Sequence, residues 1–201
     1  MSAYRFTGTE RVTIEIAGTF DATKVTLPAG LAHDGGRISL FAFHVERLRI
    51  AGVPLISWSY PEVLWRIAVT RDGTRCWWAI ACDLEARGPA WAARRYVRYE
   101  VRRQHVVVDE TRVVSRGRGE LAIEISNQVA APLALEHREL RTGRDAGWVV
   151  PWGEDDTALL THPVRLVCDS LSEPSLGAPV KWADRAVVRR GRAHRCGVAH
   201  R

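Results

Sequence analysis

Lysine is nearly absent from this 201-residue chain. Only Lys24 and Lys181 occur, so arginine supplies the rest of its 29 basic residues, a bias of the kind a GC-rich genome produces. The scarcity leaves few amines for covalent chemistry. Long apolar runs are missing too. The densest, residues 76–82, has seven, against the ~20 that a membrane helix needs. The N-terminal MSAYRFTGTERV is polar at once and lacks the apolar segment of a secretory signal. These absences predict a soluble, cytoplasmic protein without a membrane partner. Cys76, Cys82, Cys168 and Cys196 form no CxxC pair and no disulfide scaffold. They read as buried thiols, with Cys76 and Cys82 on one face of a strand. His194, Cys196 and His200 lack the spacing and the fourth ligand of a closed zinc site, so no metal is expected. No GxSxG elbow, P-loop, HExxH or dinucleotide glycine fingerprint occurs, and no cofactor is expected.

What is present is an ordinary globular balance, 46% apolar and 26% charged residues. The length suits one domain over 1–201 with a sizeable core. The net charge of +6 is uneven. Residues 181–201 hold seven basic residues and one acid, which accounts for all of it, and the first 180 residues balance. A neutral body does not describe a nucleic-acid-binding face. The basic segment from about 189 to 201 reads as a tail dispensable for folding.

Period-two alternation of β-branched and aromatic residues dominates and argues for strands. Residues 11–16 (RVTIEI), 37–50 (RISLFAFHVERLRI), 63–69 (VLWRIAV) and 76–83 (CWWAIACD) are predicted strands. A hairpin turn at Arg71, Asp72 and Gly73 joins the last two, and Gly52 and Pro54 end the second. Residues 20–31 (FDATKVTLPAGL) are predicted to open a short helix at Asp21, with Thr23 as a local cap and Pro28 as its stop. Residues 84–93 change to a loop and an Ala-rich short helix. Strand patterning returns at 96–102, 105–109 and 121–126, with a turn at Gly117 and Gly119. Short late strands are predicted at 148–151, 164–169 and 186–188, and 132–139 fits a loop or a short helix. Many short strands with few helices predict a mostly β fold, a closed or sandwiched antiparallel sheet.

Polar residues on apolar faces mark the candidate site. On the 37–50 strand, His44 and Glu46 interrupt a face of Ile38, Leu40, Ala42, Leu48 and Ile50. Either the strand bends outward there or the pair lines a polar pocket, because a buried carboxylate needs a partner. Arg66 sits among apolar neighbours with Glu62 four positions earlier on the same face. It is an exposed or ion-paired arginine, or an anion-binding one in a cavity. Asp83 reads as a cap for the following turn. Trp77, Trp78, Trp91, Trp148, Trp152 and Trp182 read as core filling or pocket lining.

The segments FDATKVTLPAGL, ISLFAFHVERLRIAGVP, SYPEVLWRIAV and WWAIACDLEARGPAWAARRYVRYEV, taken in order, resemble the acetoacetate decarboxylase-like superfamily, nearest a bacterial branch of it. The resemblance covers about residues 10–126. It implies an antiparallel cone-like β-barrel with a few short helices around an internal cavity. The superfamily's decarboxylases use a lysine as Schiff-base nucleophile in the loop after the strand matching WWAIACD, beside a second lysine that lowers its pKa. That loop reads LEARGPAWAARRY here, and the paired basic positions match Arg94 and Arg95. A guanidinium cannot form the imine. The superfamily's acidic residue on the long strand falls near Ser39. The resemblance therefore implies a cavity without imine chemistry. Its ligand is expected to be a small organic acid or keto compound held by Glu62, Arg66, Arg94 or Arg95, with His44 or Glu46 as acid/base. A lyase-like enzyme and a non-catalytic ligand-binding or structural protein are both compatible with it, and so is a homo-oligomer.

Overall fold

A computed structural model describes residues 4–53, 55–116, 120–133, 138–144, 147–150, 159–167 and 176–200. The predicted turn at Gly117 and Gly119, Pro54, Trp152, Cys168 and part of the 132–139 segment lie outside the described residues. Four long strands come first: β1 (Tyr4–Phe20), β2 (Leu31–Ile50), β3 (Trp58–Arg71) and β4 (Thr74–Leu84), paired antiparallel in that order. The β3–β4 hairpin turns on Asp72 (φ 50°) and Gly73 (φ 75°), the left-handed pair that matches strand twist. A short helix, α1 (Arg87–Ala92), runs into a π turn (Ala93–Val97). Then follow β5 (Val101–Arg103), β6 (His105–Val108), β7 (Arg112–Arg116), β8 (Glu120–Ile125) and β9 (Ala130–Leu133). The last are β10 (Glu139–Thr142), β11 (Trp148–Val150), β12 (Leu159–Leu166) and β13 (Val180–His200).

The sheet continues β4-β10-β11-β13-β12-β8-β7-β6, and β13 also lies along β1. It therefore curls back on itself in a cone-like, mostly β architecture. The wall is not fully closed: β4 meets β10 over three residue pairs and β11 meets β13 over two. Two short joints, β4–β10 and β4–β5, are parallel, a departure from a wholly antiparallel barrel.

The long strands bury both faces. Val12, Ile14, Ile16, Ile38, Leu40, Val63, Trp65 and Ile67 pack outward against Val106, Val113 and Ile123 of β6–β8. Phe41, Phe43, Val45, Tyr60, Leu64, Trp77 and Cys82 pack on the inner face with α1, the π turn, Leu140, Val150 and Val198. Each fully buried Ile or Leu contributes roughly 1.5–3 kcal/mol. Gly88 lets α1 approach this face, since a Cβ there lies 2.7 Å from Trp58 Nε1.

Bulges decide which side chains point inward. One in β1 between Glu10 and Val12 keeps Glu10 on the same face as Thr13 and Glu15. One in β2 between Val45 and Leu48, at Arg47 (φ 52°), turns Leu48 and Ile50 inward. One in β4 opposite Trp65 and Arg66 inserts Ile80. It corrects the reading of Cys76 and Cys82 as sharing a face: Cys76 joins the outer core and Cys82 the inner. Cys76, Cys82 and Cys196 are buried free thiols.

Three further expectations are corrected. The predicted helix after Asp21 is a single 3-10 turn, Ala22–Lys24. Asp21 caps it, accepting from Thr23 N at 3.1 Å, but it buries no residue, and β-branched Val25 and Thr26 lead to Pro28 and straight into β2. Residues 96–102 are not one strand. The helical path continues through the π turn, Arg98 takes a left-handed conformation (φ 64°), and only Val101–Arg103 is extended. The basic segment from 189 is not a tail. It is the second half of β13, in register with β1 from Thr13↔Arg189 to Tyr4↔Val198. Among the described residues no helix is long and apolar enough to cross a membrane.

Candidate functional site

The inner face of β3 presents Tyr60, Glu62, Leu64 and Arg66 opposite Val45, Phe43, Phe41 and Ser39 of β2. Glu62 is only 3% exposed. It lines a cavity of about 40 Å³ with Phe6, Phe43, Tyr60, Tyr99 and Cys196, roofed by Pro89, Ala92, Ala93 and Val97 of α1 and the π turn. Oε1 of Glu62 has no hydrogen-bond partner among the described residues. Burial pushes this carboxyl up to about 7; the Cys82 thiol and Tyr60 hydroxyl work against that rise, and the Asp83 charge adds to it. Burial also pushes Tyr60, Tyr99 and Cys196 upward, with the Glu62 charge adding to each. Glu62 is thus the group in this lining that changes charge near neutral pH.

Deeper on the same face, Arg66 pairs with Glu15 of β1. Ser39 Oγ donates to Glu15 Oε1 (2.8 Å) and accepts from Arg66 Nε (3.3 Å). The guanidinium lies 4.8 Å from the Phe41 ring centroid and 4.9 Å from that of Trp77. Beside them, Thr13 Oγ1 donates to Glu10 Oε2 (2.6 Å). Glu10, Thr13, Glu15, Ser39, Glu62 and Arg66 are all buried, so the interior is polar in a way a packed apolar core is not.

The other predicted site residues do not join this group. His44 and Glu46 are half-buried on the opposite face of β2, where His44 is in register with outer-core Val12 and Glu46 with Thr9. Arg94 and Arg95 are exposed on the solvent side of the π turn. Arg94 Nη2 donates to Val101 O at 2.9 Å, and the Arg95 guanidinium stands 5.8 Å from the Tyr96 ring. Asp83 does more than cap a turn. It is fully buried and accepts from Trp65 Nε1 (2.8 Å), Arg102 Nε (2.6 Å) and Ser115 Oγ (3.2 Å), tying β3, β4, β5 and β7 together. Sequence reasoning missed Tyr60, Tyr99, Cys82, Glu10 and Glu15. Thr13 and Glu15 alternate with Val12, Ile14 and Ile16 and so read as a solvent face. Their burial comes from partners on β1, β2 and β3, with Thr13 on Glu10 and Glu15 on Ser39 and Arg66.

No protein family matches the sequence, and no curated protein matches it. Solved structures do match in fold. The enduracididine biosynthesis enzyme MppR complexed with pyruvate superposes with TM-score 0.65 at 12% identity, covering 98% of this chain and 88% of that one. An acetoacetate decarboxylase-like enzyme from Sphingomonas wittichii RW1 gives 0.63 at 10% identity, covering 99% and 91%. Acetoacetate decarboxylase from Legionella pneumophila subsp. pneumophila str. Philadelphia 1 gives 0.60 at 12%, covering 99% and 86%. The chain has the acetoacetate decarboxylase-like fold. Within that fold, the loop expected to carry paired basic residues is α1 with the π turn. Its inward side is Pro89, Ala92, Ala93 and Val97, and both arginines face outward. The two lysines lie elsewhere: Lys24 is exposed on the 3-10 turn, 3.9 Å from Asp21, and Lys181 is exposed on β13.

Proposed function

We propose that this chain is a cytoplasmic, single-domain, lyase-like enzyme that takes a small keto or carboxylic acid into its interior without a Schiff-base lysine. The observation that carries the reading is Glu62, buried in the cavity lining, poised near neutral pH and with its Oε1 unpartnered among the described residues. A carboxyl so placed serves as general acid when protonated and general base when ionised. Tyr60 and Tyr99, held neutral by burial, present hydroxyl donors beside it for a developing enolate or carbonyl oxygen. Arg66 already holds Glu15 as counter-ion. Its role in this reading is to keep the polar interior in place and to offer its remaining donors to a carboxylate that displaces Ser39. MppR is a protein of this fold that holds pyruvate, which makes pyruvate the first ligand to test.

A second reading is a non-catalytic ligand-binding or structural protein. It draws on the cavity volume of about 40 Å³, room for a water molecule and far below the roughly 300 Å³ at which ligand sites begin. Calorimetric titration with pyruvate and acetoacetate, with carbon dioxide release measured alongside, separates the two. Saturable binding with turnover, both lost in Glu62→Gln while the fold is retained, supports the enzyme. Absence of binding up to millimolar concentrations overturns it and leaves the structural reading.

A further inference from the structure

A second site lies on the outer side of α1 and the π turn, and it does not rest on the role given to Glu62. An open cleft of about 430 Å³ is lined by Arg87, Arg94, Arg95, Arg98, Arg103 and Trp91. Five arginines line it. Among the described residues none of the five makes an ion pair with a carboxylate, whereas most other arginines of the body do. Since the body of the chain is electrically neutral, this cleft is a local positive concentration. Three of the side chains are already held: Arg94 by its bond to Val101 O, Arg95 against Tyr96, and Arg98 at 5.3 Å from the Trp148 ring. Less freedom is therefore lost when an anion arrives. Trp91 is 55% exposed. Its ring meets Tyr96 edge to face at 5.6 Å, a contact that fixes the indole and leaves more than half of it in solvent.

The geometry points to a nucleoside polyphosphate as the occupant of this cleft, its phosphates on the arginines and its base on Trp91. Arginine forks match phosphate oxygens in pairs, and an exposed indole accepts a base of any kind by stacking. The volume lies in the range of small-molecule sites. An acidic peptide would use the charges but leave the indole without a function.

Isothermal titration of the full chain with ATP, inorganic triphosphate, poly-glutamate and single-stranded oligonucleotides of increasing length tests this. ATP is expected to bind saturably at one site. Trp91→Ala should weaken ATP roughly tenfold and leave triphosphate unchanged. Arg95→Glu and Arg103→Glu should weaken both by roughly tenfold or more, and Glu62→Gln should change neither. All three cleft residues are exposed, and circular dichroism checks that their variants keep the fold. The inference is overturned by the absence of saturable ATP binding, or by equal effects of Trp91→Ala on ATP and triphosphate. Affinity that climbs with oligonucleotide length, or poly-glutamate that competes as well as ATP, also overturns it, in favour of a polymer surface or of charge alone.

Discussion

Arg66 on β3 reaches across β2 to Glu15 on β1, and the Ser39 hydroxyl between them bonds to both. The three side chains stand on consecutive strands: Arg66 is directly opposite Ser39, and Glu15, opposite Phe41, is reached on the diagonal two residues along β2. Removing one member of such a buried pair leaves the other charge without compensation. Glu15→Ala should therefore destabilise the protein by about 3–5 kcal/mol, while Glu15→Leu combined with Arg66→Met should regain most of that. Urea unfolding midpoints of Glu15→Ala and of the double variant decide it. A loss below ~1 kcal/mol in Glu15→Ala would mean that water reaches the pair.

Glu62 makes stability depend on pH in the direction opposite to most carboxylates. Its ordinary value is 4.5 and burial raises it to about 7. Below about pH 4.5 both folded and unfolded chains hold the proton. Between there and about 7 the folded chain keeps a proton that the unfolded chain has lost, so the contribution falls as pH rises. Above about 7 the deficit levels off at about 3 kcal/mol. Glu62→Gln has no such dependence. Its melting temperature should exceed that of the wild type by a margin that widens from pH 5 to pH 8. Parallel profiles for the two proteins would show that the carboxyl titrates as an ordinary surface group.

The long strands of the fold are legible because their apolar residues alternate over many positions. The runs around Ile14, Leu40, Ile67 and Cys76 all fall in β1–β4. Of β13 only the stretch 186–188 is legible; its second half is hidden because Arg189, Arg190, Arg192 and Gly191 break the apolar pattern, yet the backbone there is paired along β1. Pairing needs no apolar side chain, so periodicity alone does not reveal it. β7 was overlooked for a similar reason, with only Val113 and Ser115 buried in a five-residue strand. The shared face of Glu62 and Arg66 could be read from their spacing because β3 runs between them without a bulge. The placement of His44 and Glu46 could not. The bulge at Arg47 ends the alternation that tied them to Leu48 and Ile50, and no residue type announces it, since Arg in a left-handed conformation is uncommon. Likewise the chain order places Arg94 and Arg95 in the loop over the cavity, but the π turn sets their side chains toward solvent.

The C-terminal strand supplies a third prediction. Truncation before Arg189 removes the partner of β1 from Thr13 to Tyr4 and takes Cys196 and Val198 out of the inner core. It also opens the wall beside the Glu62 cavity, which Cys196 lines. The truncated chain should fail to show a cooperative thermal transition, or melt far below the full chain. Charge is not the cause, since exposed Arg195→Ser should stay within ~0.5 kcal/mol of the wild type. A truncated chain with an unchanged midpoint would show that the second half of β13 is not an integral strand.

The last prediction concerns covalent chemistry. An imine needs a primary amine within reach of the bound carbonyl. The chain offers Lys24, Lys181 and its N-terminus. Lys24 stands on the exposed 3-10 turn near Asp21, and Lys181 points outward from β13 opposite Thr19. Neither lines the cavity at Glu62. The positions that roof the cavity are Pro89, Ala92, Ala93 and Val97, and none carries a nitrogen nucleophile. Incubation with pyruvate or acetoacetate followed by borohydride should therefore leave the intact mass unchanged, with Ala92→Lys as a companion variant that introduces an amine beside the carboxyl. Glu62 within the same lining can take up the proton that such an amine must lose. The variant is expected to gain the mass of one reduced adduct while the wild type gains none. A reduced adduct in the wild type, mapped by peptide digestion to Lys181, would mean that β13 opens to bring that amine inside, and the imine-free reading would fall.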